Sequence, residues 1–141
     1  MTLLDAYALV AWLAGEPCAP EVRPFIQAGS SIASVNLAEV VDRMARIYDA
    51  DVGADLDLLT STGLDVVPLD TGLAVRAGEL RGRRYDRRTA DVSMADCIAA
   101  VTALDLGVPL ATSDPALAAV VVAEGGTVVA LPDSRGVRPE V

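Results

Sequence analysis

The run VSMADCIAAVTALDLGVPLATSDP, from Val92 to Pro115, decides the fold. Ser93 has an N-cap side chain, Met94 to Leu106 is a continuous run of good helix formers, and Gly107 is a natural residue to end it. Val108 to Ala111 then makes a short apolar strand. Thr112-Ser113-Asp114-Pro115 caps a second helix, with proline at its first position. Two acids stand out. Asp96 falls in the first turn of one helix, and Asp114 falls just beyond the carboxyl end of the strand. In an open parallel sheet those ends line the crevice in which ligands bind.

The remaining chain repeats this alternation. Thr2 to Leu4 reads as a strand ending in Asp5, which caps a helix over Ala6 to Ala14 that stops at Gly15. Glu16 to Pro20 is a turn, a short helix runs to Gln27, and a second strand covers Ser31 to Ser34. Asn36-Leu37-Ala38-Glu39 has capping-box form and opens a helix to about Asp49, with apolar residues at 37, 40, 41 and 44 in helical spacing. A helix over Gly53 to Thr62 leads to a third strand over Asp65 to Leu69, and Asp70 caps a helix through Leu80. Arg81 to Asp91 reads as irregular. After the opening stretch, Pro115 to Ala123 is helical, Gly125-Gly126 is a turn, and Thr127 to Leu131 is the last strand. Short buried strands alternating with helices predict an α/β protein, a three-layer α/β/α sandwich on a central parallel sheet. One domain is expected over residues 1–131, followed by a loose C-terminal tail over 132–141.

Composition narrows the chemistry. The 141 residues include no His and no Lys, and all eleven basic residues are Arg. That removes Ser-His-Asp and Cys-His catalysis, the phosphate-loop lysine, Schiff bases and His-ligated metals. Catalysis must come from carboxylates, hydroxyls, Arg and a metal. Cys18 and Cys97 are too few and too far apart for a disulfide framework or a zinc site, which fits a reducing cytoplasm. No uninterrupted apolar run reaches the length of a membrane span, and the apolar amino terminus, with Asp5 inside it and no basic residues before it, reads as folded core. A formal charge of −9 argues against bulk electrostatic binding of nucleic acid, so any such binding must be local. At 52% hydrophobic, the chain is apolar enough to suggest a homo-oligomer or a bound partner.

Four acids fall where the predicted elements converge: Asp5 after strand one, Glu39 after strand two, and Asp96 and Asp114 flanking strand four. Each has a plain role as a cap or a first-turn acid that suits the helix dipole. As parallel neighbours they would also repel. At an effective dielectric of about 20, two charges roughly 4 Å apart cost about 4 kcal/mol. A fold tolerates that with bound cations or with raised pKa values. Hard oxygen ligands without His or Cys select Mg2+ or Mn2+.

The set LLDA around Asp5, SVNLAE around Glu39, SMADCIAA around Asp96 and ATSDP at Asp114 resembles the four acidic motifs of PIN-domain ribonucleases. Length and element order are most similar to the VapC-type toxins of bacterial toxin–antitoxin pairs. The resemblance covers Thr2 to about Leu131. Tyr7 stands where that family often has a small hydroxyl residue, and Ser113-Asp114-Pro115 varies its Thr-x-Asp motif while keeping Thr112. The resemblance implies Mg2+- or Mn2+-dependent endonucleolytic cleavage of RNA (tRNA, rRNA or mRNA), inhibition of translation and neutralisation by a VapB-type antitoxin; the cysteine usage and apolar composition lead to the expectation of a cytoplasmic homodimer. It implies metal held by Asp5, Asp96 and Asp114 with Glu39 close by. Thr112 and Ser113 would support a carboxylate or the attacking water. With no His as base, activation of that water falls to the metal. Asp91, five residues before Asp96, reads more simply as a loop acid than as a further ligand.

Arg81-Gly82-Arg83-Arg84-Tyr85-Asp86-Arg87-Arg88 has two readings. It is a solvated face, or it is a phosphate-gripping segment using Arg83, Arg84, Arg87 and Arg88 with Tyr85 as a stacking ring. Trp12 reads as core or interface. A response-regulator receiver would need a lysine, and a haloacid-dehalogenase-type phosphatase would need an acid at position 7, where Tyr7 stands. The competitor from another class is a non-catalytic PIN-like binding module.

Overall fold

The computed structural model describes all residues from Met1 to Val141. In chain order it contains β1 (Thr2–Leu4), α1 (Ala6–Ala14), α2 (Ala19–Ala28), β2 (Ser30–Ala33), α3 (Ser34–Tyr48), α4 (Gly53–Thr62), β3 (Leu64–Val67), α5 (Thr71–Arg84), α6 (Met94–Leu106), β4 (Leu110–Thr112), α7 (Pro115–Ala123) and β5 (Val128–Ala130). The strands form one sheet in the order β3-β2-β1-β4-β5, every pair parallel. Leu3 lies opposite Ser31 and Leu110, and Leu4 lies opposite Ile32 and Ala111.

Strand side chains alternate between the two faces, and each face has its own core. Leu3, Ala33 and Leu110 pack with Leu73, Ala77 and Leu80 of α5, Cys97, Ile98 and Val101 of α6, and Leu117 and Val121 of α7. Leu4, Ile32 and Ala111 pack on the other face with Leu9 of α1, Val22 of α2 and Val40 and Met44 of α3. The three-layer sandwich is therefore α1–α4, sheet, α5–α7. Each fully buried aliphatic side chain adds about 1.5–3 kcal/mol to folding. No helix is long and apolar enough to cross a membrane.

Several boundaries differ from the sequence reading, each for a local reason. The helix expected to open at Asn36 starts at Ser34, whose hydroxyl oxygen accepts the Leu69 N–H at 3.3 Å. Asn36 therefore sits inside α3 and caps nothing. The third strand ends at Val67, opposite Ala33, where β2 itself turns into helix, and the following Pro68 has no N–H to continue a ladder. The fourth strand begins at Leu110 instead of Val108, because the Val108 N–H bonds the Ala103 carbonyl at 3.1 Å as part of the end of α6. Helix α5 runs to Arg84, a turn beyond Leu80, since arginines are good helix formers and suit a helix carboxyl end. Only Tyr85 to Asp91, with one antiparallel bridge between Asp86 and Ala90, stays irregular.

The C-terminal residues are not loose. Tyr7 Oη donates to the Pro132 carbonyl at 3.2 Å, and Arg138 donates to Glu21 at 2.5 and 2.8 Å and to the Ala130 carbonyl at 2.9 Å. Contacts this distant in sequence cannot be seen in a Pro- and Gly-containing stretch read alone.

Gly126 marks the tightest turn. A Cβ there would meet Val121 Cγ1 at 2.7 Å, Leu104 Cδ2 at 2.9 Å and the Val121 carbonyl at 3.1 Å, whereas one at Gly82 would meet nothing within 4 Å. Gly126→Ala is expected to destabilise the fold by about 1–3 kcal/mol, a fall of roughly 3–10 °C in melting temperature. Gly82→Ala should not lower it. Equal melting of the two variants would show that the Gly125-Gly126 turn has room to spare.

Candidate active site

The chain begins in the middle of its sheet, builds β2 and β3 on one side of β1, then returns with β4 and β5 on the other. The strand order reverses between β1 and β4, and the crevice beyond their carboxyl ends is where such sheets bind ligands. Asp5 immediately follows β1, and Asp114 follows β4 after Ser113. Helix α3, leaving the adjacent β2, brings Glu39, and the first turn of α6 brings Asp96. A cleft of about 190 Å³ is lined by Asp5, Ala6, Tyr7, Asn36, Glu39, Arg43, Asp96, Ser113 and Asp114. All four expected acids and Ser113 are thus together. Asp91 is exposed and outside this lining.

The three aspartates also do the local jobs their sequence positions suggested. Asp5 Oδ1 accepts the Ala8 N–H at 2.8 Å and caps α1. Asp114 Oδ1 accepts the Ala116 and Leu117 N–H groups at 2.8 and 3.2 Å and caps α7. Asp96 Oδ2 accepts the Ser93 N–H at 2.9 Å while Ser93 Oγ accepts the Asp96 N–H at 3.0 Å, a complete capping box. Glu39 differs. Its Oε1 accepts from Asn36 Nδ2 at 2.9 Å, three residues back on the same helix. In every case one carboxylate oxygen is held, and the other accepts no backbone hydrogen bond.

Thr112 links two of the acids. It is fully buried, its Oγ1 accepts the Asp114 N–H at 3.0 Å, and its hydroxyl favours the charged form of the Asp5 carboxyl. Burial dominates the acidity of Asp5: desolvation drives its pKa up to about 6, against the bonds from Thr112 and Ala8, and the charges of Asp96 and Asp114 add to the rise. Asp96 is raised as well, first by desolvation and then by Asp114 and Glu39.

Sequence reading missed two residues here. Arg43 stands four residues after Glu39 and seven after Asn36, so all three share one face of α3. It is the one basic residue lining the cleft, and it forms no ion pair. Its spacing from Glu39 was the available signal. Asn36, taken for a cap, is 2% exposed; Nδ2 also donates to the Ala95 carbonyl at 3.3 Å, while Oδ1 is buried with no partner.

No three acidic or sulfur side chains stand close enough to close directly on one ion. The donor set still fits a hydrated divalent cation. Mg2+ keeps several waters and is held through one or two carboxylates, and here four half-free carboxylates and the orphaned Asn36 Oδ1 offer only oxygen. An unsatisfied buried acceptor costs about 1–3 kcal/mol, which a water or ion in the cleft would relieve.

The arginine cluster divides. Arg83 and Arg84 share Glu124, Arg84 at 2.6 Å, at the C-terminal end of α7. At 1.5 Å per residue that end lies roughly 15 Å along the helix from Asp114. Arg87 and Arg88 are exposed on the irregular segment, and their side chains form no ion pair.

A parallel α/β/α sandwich with four carboxylates in the crevice at its switch point defines a class of acidic-site proteins. The chain belongs to the PIN domain family, whose family model matches residues 2–122. No curated protein sequence matches it. Solved structures with the same fold include a toxin–antitoxin complex from Klebsiella pneumoniae (TM-score 0.67, 18% identity, covering 92% of this chain and 96% of that one). They also include Mycobacterium tuberculosis VapC20, a toxin that cleaves the sarcin-ricin loop (0.70, 18%, 84% and 94%), and FitAcB from Neisseria gonorrhoeae (0.66, 19%, 91% and 96%). At these identities the likeness is one of fold.

Asp5 supplies a pH test. A carboxyl with a pKa near 6 in the folded chain and 3.8 otherwise holds its proton more tightly when folded. Its contribution to stability is full below about pH 4 and is lost as pH rises through 6, a change of about 3 kcal/mol. Asp5→Asn caps equally well. In EDTA at pH 7 it should melt above the wild type, with the gap closing toward pH 4. Parallel melting curves for the two proteins across that range would contradict the buried, strained carboxyl.

Proposed function

We propose that this chain is a Mg2+- or Mn2+-dependent endoribonuclease and the toxin of a toxin–antitoxin pair, cleaving RNA (tRNA, rRNA or mRNA) in the cytoplasm and so stopping translation. The observation that carries this is the convergence of Asp5, Glu39, Asp96 and Asp114 in one cleft, each with one oxygen held by the fold and the other accepting no backbone hydrogen bond. Asp5, Asp96 and Asp114 would hold a hydrated metal between them, part of the set acting through its waters, with Glu39 close by. The bound metal would supply Lewis-acid stabilisation of the phosphate charge and a water of lowered pKa.

The protein's own residues position the rest. Thr112 fixes the Asp5 carboxylate, and Ser113 offers a hydroxyl to a carboxylate or to the attacking water. Arg43 points to a phosphate-binding role: an unpaired guanidinium among acids keeps its donors for an anionic substrate. Without it, a cleft of four carboxylates would repel RNA. Arg83, Arg84, Arg87 and Arg88 would add phosphate contacts, the last two most, since Glu124 already occupies the first two.

Partners follow the same reasoning. Helix α3 exposes Val41, Ile47 and Tyr48, and Val41, Ala45, Ala50 and Val52, together with Asp49 and Asp51, line an open hollow beside them. This apolar surface supports a homodimer and a VapB-type antitoxin whose basic side chain enters the acidic cleft.

Structured RNA should be cut with Mg2+ or Mn2+ and left intact in EDTA. Asp96→Asn should abolish cutting while keeping the fold, because Asn retains an oxygen for the Ser93 N–H. At a hundredfold excess over Kd, metal should stabilise wild type by about 2.7 kcal/mol and the variant far less. Cutting in EDTA would remove the metal from the mechanism. No cutting, together with identical metal responses in both proteins, would return the chain to a non-catalytic PIN-like binding module.

Replacing Arg83, Arg84, Arg87 and Arg88 with Gln should flatten the salt dependence of RNA binding. Each lost phosphate contact removes roughly 0.7–0.9 from the slope of log K against log salt. Arg87 and Arg88 should account for most of the change. An unaltered slope would make the segment a solvated face.

A further inference from the structure

On the other flank of the first turn of α6 lies a second hollow of about 320 Å³, lined by Gly78, Arg81, Gly82, Tyr85 and Met94. Residues 78, 81, 82 and 85 recur at spacings of three and four, so they share one face at the end of α5. Met94 is the first residue of α6, two before Asp96. The guanidinium of Arg81 sits 4.3 Å from the centroid of the Tyr85 ring, and Arg81 Nε donates to the Val92 carbonyl at 3.0 Å. The ring is therefore backed by an anchored cation. Tyr85 and Met94 are nonetheless 41% and 46% exposed.

The floor of the hollow is unusual for a helix. Glycine is the poorest helix former after proline, yet two stand one turn apart in α5. Neither has a positive φ, and a Cβ at either would meet nothing within 4 Å. Internal packing does not require them. What they do is leave backbone open beside an aromatic ring.

We propose that this hollow is a stacking subsite for one unpaired base of the RNA, close to the phosphate that is cut; the assignment rests on the nuclease reading above. Single-stranded RNA is recognised by bases splayed onto aromatic rings and arginine planes. Tyr85 presents such a ring, Arg81 holds it, and the Met94 thioether is a polarisable wall. Charge selects the same occupant. In a chain of net charge −9, the hollow itself holds a cation, Arg81, and no acid, and the exposed Arg87 and Arg88 follow Tyr85 on a segment that also carries Asp86 and Asp91. Arg83 lines a different hollow with Glu124 on the opposite side of α5. Position agrees too. Met94 and Asp96 stand on different sides of the first turn of α6, so the subsite and the acidic cleft border the same helix end, within reach of nucleotides near the scissile phosphate.

The test measures binding of a short single-stranded oligoribonucleotide, and of the same strand with one abasic position at a time, to the full chain carrying Asp96→Asn so that the RNA survives. Adding Tyr85→Leu should weaken binding of the intact strand about 5- to 150-fold, as for loss of one stacked base, while Tyr85→Phe keeps it. At one position the abasic strand should show the same loss, and the two losses should not add. Gly82→Gln, which fills the floor, should melt no lower than its parent and still lose affinity. Full affinity in Tyr85→Leu and Gly82→Gln, or strictly additive losses at every position, would overturn the subsite while metal-dependent cutting by wild type upheld the nuclease. Unchanged RNA affinity with loss of self-association or of antitoxin binding would overturn it in favour of a protein contact. Absence of both RNA binding and cutting in wild type would bring down the nuclease reading and the subsite together.

Discussion

The Asp5 N–H donates to the Ala111 carbonyl across 3.2 Å, and this pairing of β1 with β4 is the constraint on which the site depends. It joins the first strand to one laid down more than a hundred residues later, at the point where strand order reverses. The helices leaving these two strands pack on opposite faces, α1 in one core and α7 in the other. Their first turns therefore diverge, and a crevice opens between them. An acid just after each strand has to line that crevice. Helices α3 and α6, held by the same two cores, close it with Glu39 and Asp96.

Capping and ligand binding then cease to be alternatives. A carboxylate has two oxygens, and a cap uses one. By accepting the N–H groups of Ala8, Ser93, Ala116 and Leu117, the aspartates are fixed in orientation before any ion arrives. The helix amides also stabilise their negative charge. That offsets part of the repulsion that burial concentrates at Asp5, whose pKa rises chiefly from desolvation. Only Asp5 is buried; Glu39, Asp96 and Asp114 are half-buried, and an unpaired Arg43 lines the same cleft.

The arginines illustrate how far a sequence can be read. As a string, Arg81 to Arg88 is one basic patch. On a helix, successive residues turn about the axis, so Arg81 faces Tyr85 while Arg83 and Arg84 reach Glu124. Because α5 continues to Arg84, a patch became two surfaces with different neighbours. Asn36 was misread for the opposite reason. Its spacing from Glu39 does match a capping box, but α3 begins at Ser34, and the same spacing inside a helix makes a side-chain pair instead.

The sequence by itself determined the alternation of strands and helices, the caps at Asp5, Asp70, Ser93 and Asp114, the three-layer class and the four acids. These are local signals: a cap needs only the next three residues, and burial periodicity needs only the element itself. Tertiary structure alone decided that Arg43 and Asn36 enter the cleft, that Glu124 takes Arg83 and Arg84, and that Tyr7 and Glu21 hold the C-terminal residues down. Each of these depends on which elements become neighbours. That is set by the strand order and by how two separate cores pack on the two faces of one sheet, and no stretch of sequence carries it.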